Sequence, residues 1–331
     1  MKKLVSIFLS AVIICGLLLI SACDRTEDVR KSDGKISVVT TIFPYYDFVR
    51  QLAGDKVDIR LLLSPGSDPH SYEPKPSDIT AIENCDIFIC NGGESDEWVD
   101  GVLSSIENKD VKVMKMMEYV PLRHEQSMDH DHEHDSHEDM DDDDEGHDHE
   151  EGEEYDEHVW LSLKNAKTLV GAIADALQEL DPDNKDTYAA NASAYTEKLS
   201  ALDGAYQSAV DGAARKTVLF GDRFPFRYLV DDYGLRYYAA FAGCSAETEA
   251  SFETVSFLAK KVDELGLPCV LTIEGKSHKL AETIVRSTTG KKQKVLTMDS
   301  MQSMTSKDAA NGATYLSVME QNLSVLKEAL G

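Results

Sequence analysis

The sequence predicts an α/β protein built from two units of parallel sheet, with a long helix between them. Three observations carry this. Short β-branched or aliphatic runs alternate with segments of helical period, from Ile36 to Met114 and again from Thr217 to Met298. Such alternation makes parallel strands whose faces are covered by helices. Between the two series lies an uninterrupted helical pattern from Lys185 to Val210, about 40 Å long at 1.5 Å per residue.

In the first unit, Ile36 to Thr41 (ISVVTT) is a β-branched run and predicts a buried strand. Ile42 to Tyr46 turns into a helix that Gly54 ends, and Val57 to Leu63 is a second strand. Ser64 to Pro74, rich in Ser, Pro and Gly, is a long loop. Ser77 is placed to cap a short helix bearing Ile79 and Ile82 on one face. Asp86 to Cys90 is the third strand, Asn91-Gly92-Gly93 turns out of it, Trp98 to Ile106 is helical, and Val111 to Met114 is the fourth strand.

A helix from Leu163 to Leu180 is broken by Asp181-Pro182-Asp183-Asn184 and followed by the long one, where Tyr188, Tyr195, Leu199, Leu202 and Tyr206 recur at helical intervals. In the second unit the strands are Thr217–Phe220, Tyr237–Phe241, Cys269–Ile273 and Lys294–Met298. Helices fall at Phe224–Tyr233, Ser251–Leu265, Lys279–Thr288 and Thr314–Leu330, with Gly243 to Glu249 a loop.

The stretch His124 to His158 stands apart. It holds eight of the ten histidines and nineteen Asp and Glu, with no Lys or Arg, and carries −19 of the net −27. It has no apolar period, so it cannot bury enough surface to offset the entropy of ordering and is expected to be a mobile loop. Imidazole and carboxylate together suit a borderline divalent ion. His124, His130, His132, His134, His137, His147 and His149 are therefore expected to capture metal. The strong negative charge argues against nucleic acid as a partner.

At the start, MKK, an apolar run from Leu4 to Ile20 and Ser21-Ala22-Cys23 describe a secretory signal over residues 1–22. Leu19 to Cys23 resembles the bacterial lipobox, which implies lipidation of Cys23 and a membrane tether. Residues 23–35 then form a flexible anchor, 36–163 the first lobe with its 124–157 loop, 164–212 the linking helices, and 213–331 the second lobe. Cys85 and Cys90 flank a strand, which separates them by roughly 16 Å, too far to bridge. A disulfide between Cys244 and Cys269 is open to the chain, and no cysteine pair has zinc-site spacing.

Three residues could carry chemistry. His70 lies in the loop after a strand, His158 follows the acidic tract, and Glu274 ends the strand CVLTI. Open α/β sheets bind ligands at the C-terminal ends of their strands, so all three could meet in the cleft between the units. His278 sits in a polar turn and reads as a surface residue.

The segment Ser64 to Asp78 (SPGSDPHSYEPKPSD) resembles the P-G-x-x-P-H-x-Y-E-P-x-P-x-D signature of the cluster A-I family, the metal-specific solute-binding proteins of ABC importers. Asp156 to Leu161 (DEHVWL) resembles that family's D-P-H-V-W-L, and Tyr315 to Leu330 its closing helix. The His-rich acidic loop marks the zinc branch. The resemblance implies two α/β lobes with central, mostly parallel sheets, joined by one long rigid helix, with the metal site in the cleft. It implies an extracytoplasmic, lipid-anchored monomer that captures zinc and delivers it to a permease and its ATPase. His70 matches the first family ligand, His158 the second and Glu274 the last. The third departs: where the family reads H-x-A-F-x-Y-F, this chain has Gly221, followed by Asp222 and Arg223. Asp222, a water or a histidine of the loop could fill that place, and Arg223 could neutralise Asp222.

Two imidazoles and a carboxylate with one position open suit Zn2+. Adding Asp222 gives a set that Mn2+ or iron would also accept. Imidazole must be neutral to ligate, so affinity is expected to fall as pH drops through about 6.5. A zinc hydrolase is disfavoured, because the chain has no H-E-x-x-H, no base beside either histidine and no nucleophile motif. A surface zinc buffer or adhesin without a transport role remains the rival to an importer component.

Overall fold

The structure, a computed structural model, describes residues 34–63, 69–125, 154–243, 250–275 and 277–331. The expected signal segment, Cys23, Cys244 and the loop histidines from His130 to His149 lie outside the described residues.

Two four-stranded sheets make the frame. The first comprises β1 (Ile36–Thr40), β2 (Val57–Leu61), β3 (Ile87–Cys90) and β4 (Lys112–Lys115), in the order β2-β1-β3-β4. The second comprises β5 (Thr217–Arg223), β6 (Arg236–Phe241), β7 (Cys269–Ile273) and β8 (Lys294–Met298), in the order β6-β5-β7-β8. Every pairing in both is parallel. The two sheets therefore repeat one topology, and in each the strand order reverses beside the first strand. That is the switch point where loops leaving the C-terminal ends diverge and open a crevice.

Alternation along the strands divides the interior. Val38, Ile87, Val218 and Leu271 join one continuous core that runs through both units, while their neighbours Val39 and Phe88, and Leu219 and Val270, face separate outer clusters. The helices of the first unit are α1 (Phe43–Ala53), α2 (Pro76–Asn84) and α3 (Trp98–Ser105). The linking pair is α4 (Leu163–Leu180) and α5 (Lys185–Asp211). The second unit adds α6 (Arg227–Tyr233), α7 (Phe252–Glu264), α8 (Lys279–Ser287), α9 (Ser306–Ala310) and α10 (Tyr315–Leu330).

The 27-residue α5 is the expected spine, and the five periodic residues named from sequence are all buried. It is tied to both ends of the molecule. Asn191 Nδ2 donates to Leu52 O at 2.8 Å, and Tyr206 Oη donates to Met319 O at 2.7 Å. Among the described residues, no helix is long and apolar enough to cross a membrane.

Several expectations differ in detail. Ser77 lies inside α2, and its neighbour Asp78 does the capping by accepting from the Lys75 N–H at 3.1 Å. The strand expected to end at Phe220 runs on to Arg223, which places Gly221 and Asp222 within β5. The segment expected to be helical from Phe224 coils first and begins its helix only at Arg227. Helix α9 was not foreseen, although Thr305 and Asp308 form a capping box at its start. Cys85, Cys90 and Cys269 are buried free thiols, and burial pushes Cys85 and Cys269 up to about 12, so neither offers a thiolate.

Asp47 joins the two units from a fully buried position. It accepts from Arg50 at 2.7 Å and from the Tyr315 N–H at 2.8 Å, while Arg50 also donates to Ala309 O and Ala313 O. Asp47→Ala removes the carboxylate paired with the Arg50 guanidinium and leaves the Tyr315 N–H without its acceptor. Urea unfolding is expected to show a loss of about 2 kcal/mol or more.

Candidate metal site

The loops that leave the first sheet converge on two imidazoles. His70 sits in a single 3-10 turn, Pro69–Ser71, after β2. His158 precedes another, Val159–Leu161, at the far stem of the acidic tract. Their ring centroids are 5.6 Å apart. His158 is completely buried, and Asp156 fixes it twice: Oδ1 accepts the His158 backbone N–H at 2.8 Å and faces its Nδ1 at 3.0 Å. Its Nε2 is buried and has no hydrogen-bond partner. Leaving a buried ring nitrogen unsatisfied costs about 1–3 kcal/mol, a cost that a partner at Nε2 would remove.

The support behind these rings is polar and closely held. Tyr45 Oη donates to Asn91 Oδ1 at 2.5 Å, and Asn91 Nδ2 donates to Glu157 O at 2.9 Å. Asp96 accepts the N–H groups of Asn91 and Gly92 at 2.6 and 3.0 Å. The Glu157 carboxylate is seated on Ser95, whose N–H donates to Oε1 at 3.0 Å and whose hydroxyl donates to Oε2. Trp160 packs on His158 with centroids 5.3 Å apart, and its Nε1 donates to Ser300 O at 2.9 Å, reaching the second unit.

Burial pushes Asp96 up to about 6, with Glu157 adding to the effect and the two N–H groups opposing it. Between about pH 4 and 6 the folded form thus holds a proton that the unfolded chain has released, so stability falls as pH rises through that window. The change spans roughly 3 kcal/mol if the group acts alone. Asp96→Asn is expected to flatten this slope in unfolding measured at a series of pH values.

In the second unit, Glu274 ends β7 as expected, but its oxygens are engaged. Oε2 accepts from Ser300 N–H at 2.7 Å, and Oε1 accepts from Ser300 Oγ at 2.6 Å and Gln302 N–H at 3.2 Å. Burial, then the nearby Asp299, push it up to about 7. Asp222 is bound to backbone: Oδ1 accepts from Arg223 at 2.9 Å and Oδ2 from Ile273 at 3.4 Å, with burial raising it above the usual carboxylate range. The structure thus brings His70 and His158 together and holds Glu274 and Asp222 in other hydrogen bonds. Among the described residues, no group of three or more His, Cys, Asp or Glu is set to hold an ion.

His278, read as a surface residue, is half-buried at the start of α8, and its Nδ1 is buried with no hydrogen-bond partner. It lies near enough to Asp222 for the two to interact electrostatically. Asp156 and Trp160 belong to the motif already quoted, yet their supporting roles were not read from it. Ser300 and Gln302 gave no signal, because nothing in their spacing connects them with Glu274.

The near stem of the acidic tract is placed. His124 and Tyr155 form an antiparallel bridge with stacked rings 4.4 Å apart, and Glu125 N–H donates to Glu154 O at 2.7 Å. The two stems of the tract are therefore stapled together at Tyr155, one residue before Asp156 and three before His158.

Comparison with known proteins identifies the family and the fold. The family profile "Zinc-uptake complex component A periplasmic" matches residues 38–329. The zinc-binding lipoprotein AdcA of Streptococcus pneumoniae is 35% identical over 99% of this chain, which spans 61% of that relative's length. The high-affinity zinc uptake system protein ZnuA of Bacillus subtilis is 32% identical over 96% of both chains. The solved Zn(II)-bound ZnuA-like domain of S. pneumoniae AdcA superposes with a TM-score of 0.70 at 32% identity, covering 90% of this chain and 99% of that one. These relatives carry the names of binding and uptake proteins, not of enzymes. Two α/β lobes about a spine helix, paired imidazoles at the switch-point edge and a match over nearly the whole described chain lead to one conclusion: the chain belongs to the family of the periplasmic zinc-uptake component A.

Proposed function

We propose that this chain is the extracytoplasmic receptor of a zinc importer: it binds Zn2+ in the cleft and delivers it to an ABC permease driven by its ATPase. The observation that carries the reading is His158, a buried imidazole with Nδ1 fixed by Asp156 and Nε2 unsatisfied, beside the ring of His70. A neutral imidazole so fixed is a preorganised zinc ligand. Glu274 is the proposed carboxylate of the second unit, entering the site by exchanging its hydrogen bonds to Ser300 and Gln302 for the ion. Asp222 is a secondary candidate, and the donor set favours zinc over Mn2+.

Lipidation at Cys23 would hold the receptor, as a monomer, at the outer face of the cell membrane. The His-rich tract would raise the local ion concentration beside the cleft through many weak sites. Its staple at His124 and Tyr155 supports this, because it returns the chain directly to His158. Deleting Gln126 to Glu153 and closing the gap with a short Gly-Ser turn is expected to lower the number of zinc ions bound while one tight site persists. Loss of the tight site in a chelator competition would move it into the tract.

Uptake of radioactive zinc tests the whole reading. Cells lacking this chain should fail to import zinc when it is scarce, recover with the wild-type gene and not with His158→Ala. Normal uptake without the chain would make it a surface buffer or adhesin instead.

A further inference from the structure

We propose that Glu157 is the positioning residue for His70, holding Nδ1 so that Nε2 is presented to the ion. Two consecutive carboxylates would then orient the two site imidazoles, Asp156 holding His158 and Glu157 holding His70. The inference rests on the two-imidazole site proposed above.

The two side chains diverge from one point of the backbone. Asp156 lies toward the second unit, where its Oδ2 would be 3.1 Å from a Cβ built on Gly243. Glu157 lies in the first unit, and its Oε2 is 3.8 Å from His70 Nδ1. At that distance the two atoms are close but not hydrogen-bonded. A small turn of the half-buried His70 ring would close the gap and leave Nε2, across the ring from Nδ1, for the ion.

The seat of Glu157 is shaped for a carboxylate. The residue is 2% exposed, and among the described residues no Lys or Arg pairs with it. Ser95 supplies two hydrogen bonds from its N–H and hydroxyl. Gly93, at φ 79°, passes so close that a Cβ there would fall 2.2 Å from Glu157 Oε1. A buried carboxylate with hydrogen bonds but no fixed cation remains costly. His70 and the ion it holds supply the missing positive charge. A carboxylate behind a metal-bound imidazole fixes the tautomer, orients the ring and raises its basicity. The D-P-H-V-W-L pattern has proline where Glu157 stands, so the pattern alone does not supply this contact.

Long-range proton–nitrogen correlation spectra of the full chain, with and without zinc, test the assignment. In the wild type, both His70 and His158 are expected to bind zinc through Nε2 and keep a proton on Nδ1. In Glu157→Gln, His70 alone should lose its single tautomer, with His158 unchanged, and zinc affinity should fall about 10- to 100-fold. Zinc on Nδ1 of His70 in the wild type overturns the proposal without any variant, so a poorly folding Glu157→Gln does not rescue it. An unchanged His70 tautomer and affinity in Glu157→Gln overturns it as well. If neither ring in the wild type responds to zinc, the two-imidazole site itself has failed, a result distinct from both.

Discussion

Zinc affinity falls by roughly a thousandfold or more in the double variant His70→Ala, His158→Ala, measured by competition with a chromophoric chelator. Structural zinc sites release about 10–16 kcal/mol in total, so two ligands of three or four account for several kcal/mol, and each 1.4 kcal/mol is tenfold. His158 contributes more than its partner. Its Nδ1 is already fixed at 3.0 Å by Asp156, so binding at Nε2 incurs little ordering entropy. The single variant His158→Ala also frees Asp156 and uncovers one face of Trp160, whose Nε1 reaches Ser300. Its effect should therefore exceed that of His70→Ala. Unchanged tight binding in the double variant would remove the cleft as the site.

The parts legible in the sequence are those fixed by local pattern. Strands such as ISVVT and CVLTI announce themselves by β-branched runs, and the spine by tyrosines and leucines that all proved buried. The pairing of His70 with His158 was legible only because each lies in a specific motif; no local rule links residues so far apart in the chain. What escaped is tertiary hydrogen bonding. Glu274 ends a strand at the correct edge, and spacing alone could not show that Ser300 and Gln302 occupy its oxygens. Glu157 was counted among the charges of the acidic tract, although it is buried and belongs to the support of the site. Composition assigns a residue to its neighbourhood in sequence, whereas burial assigns it to its neighbourhood in space.

Gly221→His, which places there the histidine the resemblance implies for a third ligand, is expected to destabilise the protein and not to tighten zinc binding. Gly221 lies inside β5 with α8 packed directly against it. A Cβ at this position would meet Ala281 Cα at 2.6 Å, its Cβ at 2.8 Å and its N at 3.0 Å. Two of those atoms are backbone of a helix whose Ala281 and Ile284 are fully buried, so neither can yield by a change of rotamer. Either α8 moves away from the sheet, opening the cluster around Leu258 and Val270, or β5 shifts its register against β7. Both routes lose close packing, and the loss should be on the order of 4 kcal/mol in urea unfolding. Gly221→Ala, with the same Cβ and nothing beyond it, should show most of the same loss, which separates the backbone clash from the chemistry of the imidazole. The close contact also shows why the place cannot be refilled by substitution alone. In this chain the approach of α8 occupies the space a side chain would need, so any third and fourth donors must come from residues outside position 221. A stable Gly221→His that binds zinc more tightly would show that α8 can withdraw at little cost and that the family's ligand geometry is still available here.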